Sequence, residues 1–146
     1  MWTTEYVAST SAAPSAVWAA LTALHSGTPL GPTSDAFELH GPFAVGTTLT
    51  ITPQGQDSLQ STIVELEADQ VYADQTVYGG LTLTFRHRLA STSDGGTRVT
   101  HTLEIAGEGA DEVGPDLGPQ ISGDFPVVMS ELLAAAEGRR AAEPAR

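Results

Sequence analysis

The chain contains no cysteine and no lysine. Without thiols it can form no disulfide, no thiolate nucleophile and no thiolate-bound zinc or iron–sulfur centre. Its six basic residues are all arginines and face 18 acidic residues, so the formal net charge is −12. Because such a chain repels phosphate backbones and anionic lipid surfaces, we expect neither nucleic-acid binding nor membrane attachment.

Long apolar runs are also missing. No stretch approaches the roughly 18 residues of a membrane-spanning helix, and residues 1–5 lack the basic and apolar pattern of a signal peptide. We therefore expect no membrane insertion and a cytoplasmic protein, and the bias to Ala, Gly and Arg is typical of GC-rich bacterial genomes. A length of 146 residues predicts one domain, over residues 1–138, followed by a disordered tail over residues 139–146.

Two predicted helices flank a region of strands. Pro14 begins the first helix at a position where its missing N–H costs nothing, and apolar residues continue at helical spacing to Leu24. The second is an amphipathic helix over Phe125–Ala136, in which Pro126 predicts either a kink or a late start.

Between these helices the hydrophobic period changes to two, which predicts about six antiparallel strands after a first strand at Trp2–Ser9. Helices confined to one face of an antiparallel sheet give an α+β fold. The C-terminal helix is the only predicted element long enough to cover the apolar face. We expect the acidic, glycine-rich segment Gly107–Gly118 to be irregular and, together with the Ser26–Pro32 loop, to form the mobile rim of a ligand site.

Two hairpins can be registered from their turns. Pairing the apolar faces across the SerThrSerAspGlyGly turn sets His87 opposite His101. A two-residue turn at Gly79-Gly80 sets Tyr72 opposite His87, with Asp74 one diagonal away. The sequence therefore predicts a polar row on the covered face of the sheet. A three-residue loop would instead turn Val71, Ala73, Gln75 and Val77 inward.

The remaining basic residues and histidines have less informative surroundings. Arg86, Arg88 and Arg98 fall on the opposite, solvated face, with Arg86 diagonal to Glu104. We expect His25 to cap or decorate the end of the first helix, where an imidazolium suits the helix dipole. His40 is predicted to be exposed.

Three segments carry a resemblance to a known superfamily: PSAVWAALTAL after the first strand, GGTRVTHTLEIAG near the last strand, and FPVVMSELLAAAE at the C-terminal helix. In this order the chain resembles the START-like helix-grip superfamily (SRPBCC), which includes polyketide cyclase/dehydrase-like and lipid-transfer proteins. The resemblance implies a curved antiparallel sheet wrapped around a long C-terminal helix, with a cavity for an apolar small molecule. The family shares no catalytic motif, so no catalytic residue is carried over.

From the register and the resemblance together we expect binding of an apolar or aromatic, lipid- or polyketide-like molecule between the sheet and the C-terminal helix. The predicted ligand-binding residues are Tyr72, Asp74, Tyr78, Phe85, His87, His101, Leu103 and Met129. Two histidines and a carboxylate can form a facial metal site, but nothing else in the sequence supports a metal, and we expect no metal and no cofactor.

Three alternatives stay open. The polar row could satisfy its own hydrogen bonds inside the core. The chain could be a polyketide cyclase/aromatase-type enzyme in which His87 or His101 is the acid/base. It could also be an acidic protein-interaction module. The sequence leaves the ligand, the choice between turnover and carriage, and the oligomeric state undetermined.

Overall fold

A computed structural model describes residues 1–32 and 34–138; the tail predicted over residues 139–146 lies outside the described residues. The strands form one antiparallel sheet in the order β1-β7-β6-β5-β4-β3-β2, and the helices pack on one face of it, here called the inner face. In chain order the elements are β1 Trp2–Thr10, α1 Pro14–His25, β2 Ala36–Leu39, β3 Thr48–Thr52, β4 Leu59–Glu67, β5 Val71–Tyr78, β6 Leu81–Ser91, β7 Thr97–Ala106, α2 Ala110–Ser122 and α3 Phe125–Ala136.

Both predicted helices are present. Pro14 is the first residue of α1, and α3 begins at Phe125 with Pro126 in its first turn. The N–H groups of a first turn have no partner inside the helix, so a proline there removes no hydrogen bond. The proline therefore fits the start of α3 without a kink.

The expectation that Gly107–Gly118 is irregular is wrong, because most of this segment lies in a helix, α2. Gly114 and Gly118, one helical turn apart, are buried against the indole of Trp2. The two glycines thus form a flat surface that lets the helix approach the first strand closely. Packing against Trp2 offsets the poor helix propensity of glycine. The role of the segment at the rim of a ligand site stays a prediction, now for a helix.

Two prolines inside α2 are tolerated because of the side on which they lie. Pro115 and Pro119 are exposed, so the carbonyls that lose their helical partners can accept hydrogen bonds from water. Asp111 and Glu112 occupy the first turn, where negative charge is favoured by the helix dipole. The prolines and acids that suggested a loop are all compatible with an exposed helical surface.

The C-terminal helix covers the sheet as expected, and it shares this role with α1 and with α2, which the sequence analysis did not predict. The core under α1 and α3 includes Val17, Leu21, Leu49, Met129 and Leu132. A second core lies largely under α2, where Ala110 packs with strand residues and with Phe125 from the start of α3; its strand residues are Leu81, Leu83, Leu103 and Ile105.

A β-bulge explains why the faces of β4 are ambiguous in the sequence. The register shifts between Ile63 and Glu65, so that Ile63 pairs with Asp74 whereas Leu66 pairs with Tyr72. The bulge leaves Val64 without a partner and moves the inward-facing positions from odd to even numbers. A search for strict alternation therefore fails at this strand.

Candidate functional site

The predicted polar row crosses the inner face in the predicted register. Tyr72 pairs with His87, and His87 pairs with His101. All three side chains are buried. Pairing of β1 with β7 adds Tyr6 opposite His101, so the row spans four strands. The sequence analysis missed Tyr6, although its position among the inward-facing residues of the first strand was a usable signal.

The glycine turn between β5 and β6 sets this register. Gly79 and Gly80 have φ of 56° and 82°, the left-handed conformation that a tight two-residue hairpin turn needs. The turn pairs Tyr78 with Leu81 and thereby Asp74 with Phe85. The alternative register, with a three-residue loop, is not adopted.

Ring stacking extends the row from the sheet to the helices. The imidazoles of His87 and His101 stack with centroids 3.9 Å apart, and Phe125 stacks on the other face of His101 at 3.8 Å. At the opposite end the ring of Phe43 is parallel to that of Tyr72, with centroids 5.7 Å apart. A continuous surface of planar rings, here called the ring cluster, therefore lies between the sheet and the start of α3; its members are Phe43, Tyr72, His87, His101 and Phe125.

A third histidine belongs to this cluster, and the expectation for it is wrong. His25, the last residue of α1, is buried, with its ring centroid 4.1 Å from that of Tyr72 and 6.0 Å from that of His87. Its Nδ1 lies 2.8 Å from the Leu21 carbonyl oxygen. Since a carbonyl only accepts, Nδ1 donates, and Nε2 of the neutral ring is left as an acceptor. His25 is thus an uncharged interior side chain rather than a helix cap.

Burial keeps all three of these imidazoles neutral near pH 7. Loss of solvent lowers the pKa of His25 to about 4, and loss of solvent together with the proximity of His25 lowers that of His101 to about 3. The pKa of His87 lies well below its usual value, chiefly from burial and then from its two histidine neighbours. The rings act as neutral donors and acceptors, not as cations.

A tyrosine–aspartate pair completes the cluster. The Tyr72 hydroxyl donates a 2.6 Å hydrogen bond to Asp74 Oδ2. Burial raises the pKa of the Asp74 carboxyl to about 6, although the bond from Tyr72 and the nearby Ser61 hydroxyl oppose this change. Burial, followed by the Asp74 charge, raises the pKa of Tyr72 far above its ordinary value, so the tyrosine stays protonated and the pair holds at most one negative charge.

Several polar atoms of the inner face have no hydrogen-bond partner among the described residues. They are Asp74 Oδ1, Thr76 Oγ1, His87 Nδ1 and His101 Nδ1. The nearby Ser61 hydroxyl donates to the Gln75 carbonyl oxygen at 2.9 Å. Each buried polar atom left unpaired costs about 1–3 kcal/mol, so their concentration on three adjacent strands marks a place where a polar group of a ligand would be stabilised.

The other predicted ligand residues are distributed unevenly around this cluster. Leu103 is buried two residues after His101 on the same strand, and its cross-strand partner Phe85 is partly buried. Met129 is a buried residue of α3. Tyr78 is 54% exposed at the tip of its hairpin and lies outside the ring cluster.

The arginines of the body lie on the outer face, as predicted. Arg86 forms ion pairs with Glu104 at 2.8 Å and with Glu65 at 2.8 Å. The bulge in β4 places Glu65 on the outer face, beside Arg86. His40 is exposed, with its Nε2 2.7 Å from Thr50 Oγ1. These groups form a solvated surface and contribute nothing to the inner face.

Two other kinds of site can be assessed from the geometry. Within residues 1–32 and 34–138 no group of three or more His, Asp or Glu side chains is placed to hold a metal ion. An open depression of about 670 Å³ lies between Pro14 and Ser15 of α1 and Gln70, Leu89 and Ser91 of the sheet. This depression has a largely polar lining and none of the rings, so we assign no function to it. In the described part of the chain no helix is long and apolar enough to cross a membrane.

Comparison with known proteins gives a result at the level of structure only. No protein-family model matches the sequence, and comparison with characterised protein sequences finds no match either.

Solved structures match over nearly the whole chain. The ZhuI aromatase/cyclase from Streptomyces sp. R1128 aligns with a TM-score of 0.74 at 15% identity, covering 93% of each chain. Truncated norcoclaurine synthase from Thalictrum flavum aligns at 0.73 and 16% identity, covering 91% of each chain. The protein Ara h 8.0201 aligns at 0.64 and 18% identity, covering 94% of this chain and 95% of its own. The sheet, its order and the C-terminal helix thus identify the chain as having the helix-grip fold of these proteins.

Proposed function

We propose that the chain binds an apolar or aromatic small molecule on the inner face of the sheet, between the strands and α3. The observation that carries the proposal is the set of unpartnered buried polar atoms beside the stacked rings. A site with an apolar surface and a few convergent polar groups is the usual form of a small-molecule site. The fold supports the same proposal, because norcoclaurine synthase of this fold has been solved with dopamine and hydroxybenzaldehyde.

Phe125 defines where the ligand gains access. Its ring covers one face of His101, and it is the first residue of α3, directly after the short Gly123-Asp124 connection from α2. In this proposal the Phe125 side chain rotates to uncover the histidine ring; the rotation breaks no hydrogen bond but gives up apolar contacts of the second core. We therefore place the planar part of the ligand against His101 and its polar group toward Asp74 and Thr76.

The test uses the uncharged dye N-phenyl-1-naphthylamine, whose fluorescence rises in an apolar site. We expect saturable binding to the full chain. His101→Trp, which puts a larger ring between His87 and Phe125 and occupies the proposed ligand position, should weaken binding roughly tenfold or more, a change of about 1.4 kcal/mol. The matched control is Thr100→Trp, since Thr100 is the preceding residue and faces outward, paired with Val7 and Arg88.

A second measurement does not depend on how the variant folds. In the unmodified chain the dye should shift the ring NMR signals of His87 and His101 and leave those of the exposed His40 in place. Dye binding that is equal in the two tryptophan variants, or shifts confined to His40, would contradict the proposed site.

A cyclase or aromatase activity is the second candidate. The fold includes the ZhuI aromatase/cyclase, and the Tyr72–Asp74 pair favours an acid/base role because the Asp74 pKa of about 6 lies near neutrality. The histidines are weaker candidates because their pKa values lie well below neutrality.

Single-turnover assays with a polyketide-like substrate separate the two candidates. If the chain only carries its ligand, no turnover occurs, and His101→Gln lowers affinity by about tenfold at most, the loss of one neutral hydrogen bond. If it is an enzyme, Asp74→Asn should lower the rate by about 10²–10⁴ while dye binding persists. A rate unchanged in Asp74→Asn would exclude Asp74 as the acid/base.

A further inference from the structure

The arginines and the terminal ammonium group of the described chain lie away from the inner face. Its three arginines, Arg86, Arg88 and Arg98, all lie on the outer face, where Arg86 is already held by two glutamates. The Met1 ammonium group is exposed and paired with Asp111 at 2.7 Å. Within residues 1–32 and 34–138, therefore, no arginine or terminal ammonium group reaches the ring cluster.

The histidines do not replace these missing cations. His87 lies between two other imidazoles, with ring centroids 3.9 Å from His101 and 6.0 Å from His25. A proton on any of the rings would place a positive charge in a buried site and against its neighbours. The nearest ionisable acid is Asp74, which adds negative charge on the same face. An anionic ligand would thus lose its hydration without meeting a cation, which is costly in a protein interior.

The unpartnered atoms need a ligand that both donates and accepts. The ionised Asp74 carboxylate has acceptors only, and with Oδ2 bonded to the Tyr72 hydroxyl its Oδ1 is left as an unused acceptor, whereas a neutral imidazole offers one N–H and one lone pair. A hydroxyl can donate to Asp74 and accept from an imidazole N–H, for which His87 on the adjacent strand is the nearer histidine. A carboxylate or phosphate accepts only, so it would leave Asp74 Oδ1 unpaired and bring a second negative charge beside it.

We propose that this site selects an uncharged aromatic ligand bearing a hydroxyl group, a phenol or an enol, and discriminates against anionic ligands of the same shape. The inference rests on the proposed function, because it specifies the ligand of that same inner-face site. The planar part takes the position of the Phe125 ring against His101, and the hydroxyl supplies the missing partner of Asp74.

The experiment compares four naphthalenes by displacement of N-phenyl-1-naphthylamine from the full chain at pH 7.5. They are naphthalene, 2-naphthol, 2-naphthoate and methyl 2-naphthoate. At this pH the carboxyl group, with a pKa of about 4, is ionised. We expect 2-naphthol to bind up to about tenfold more tightly than naphthalene, the gain of one neutral hydrogen bond. We expect 2-naphthoate to bind at least about tenfold more weakly than 2-naphthol, and its neutral methyl ester to bind more tightly than the anion.

The outcomes separate this inference from the proposed function. If 2-naphthoate binds as tightly as 2-naphthol while the dye is displaced from the inner face, the site exists and the charge selectivity is wrong. If neither the dye nor any naphthalene binds, the proposed function fails and the selectivity fails with it. No protein variant is required, so the result does not depend on the stability of a mutant.

Discussion

A His101→Phe variant is expected to be more stable than the parent protein at pH 7, and the difference should grow as the pH falls. His101 is buried with Nδ1 unpartnered, which costs about 1–3 kcal/mol. A phenyl ring preserves the stack between His87 and Phe125 and removes the unpaired nitrogen. The variant should therefore gain about 1 kcal/mol or more at neutral pH.

The pH dependence follows from the lowered pKa of His101, about 3 in the folded chain against 6.5 when solvated. Below pH 6.5 His101 becomes protonated in the unfolded chain but stays neutral in the folded chain. The free energy of unfolding of the parent therefore decreases as the pH falls. The loss is about 1.4 kcal/mol per pH unit and ends near the folded pKa. The variant has no titratable group at position 101. The difference in free energy of unfolding between the variant and the parent should therefore increase at that rate between pH 6.5 and about 4.

Urea denaturation at pH 7, 6 and 5 measures the difference. Ile105→Val is the matched control, because it trims a buried side chain of the same strand without changing a titratable group or the cover of His101. It should lower stability by a similar amount at each pH. A His101→Phe advantage that stays constant with pH would show that His101 keeps the ordinary pKa of a solvated histidine in the folded chain.

The pH dependence is measured as a difference from a variant because two buried acids change the stability of the parent in the direction opposite to the histidines. Burial raises the pKa of Asp74 to about 6, and that of Asp35 also to about 6, in the second case with further contributions from Asp124 and Glu131. For these groups the folded chain takes up the proton first, so they stabilise it as the pH falls from 6 toward 4. The parent profile alone is therefore expected to be shallower than three buried histidines would give.

Gly118→Ala is the second change with a large expected effect. A Cβ at this position would overlap the six-membered ring of Trp2. Overpacking of this kind costs about 1–3 kcal/mol, more than the roughly 1 kcal/mol that alanine gains over glycine in a helix. We expect a net loss in free energy of unfolding, measured by urea denaturation.

The sign of this effect should reverse when the indole is removed. In a Trp2→Ala background the clash is absent, so Gly118→Ala should stabilise the chain by up to about 1 kcal/mol through helix propensity alone. Gln120→Ala, at an exposed position of the same helix, is the control and should stay within about 0.5 kcal/mol of its parent in both backgrounds. A loss of equal size with and without Trp2 would mean that the two residues are not in contact.

The polar row was predictable because turn chemistry and alternation both act locally. Gly79 and Gly80 fix one hairpin, and matching apolar faces fix the next, so Tyr72, His87 and His101 could be aligned without knowledge of the tertiary structure. The bulge at Val64 interrupts the alternation of β4, so the sequence did not show which residues of this strand face inward.

The features that the sequence did not reveal depend on contacts between distant segments. His25 ends a helix, and only the packing of α1 against the sheet decides that its ring points to Tyr72 instead of solvent. The helical state of α2 likewise depends on Trp2, which lies far away in the chain. Local propensity disfavours both outcomes, and tertiary packing overrides it.

The pairing of β1 with β7 also sets the order in which the sheet can be completed during synthesis. Trp2 pairs with Ile105, and Thr10 pairs with Thr97, so β1 has no neighbour in the sheet until the last of the seven strands has been made. At about 5–20 residues per second this interval lasts roughly 5–20 s. Such distant pairings close slowly, and β1, with Trp2, Tyr6 and Val7 uncovered, is the part of the nascent chain most exposed to chaperones and to misassembly.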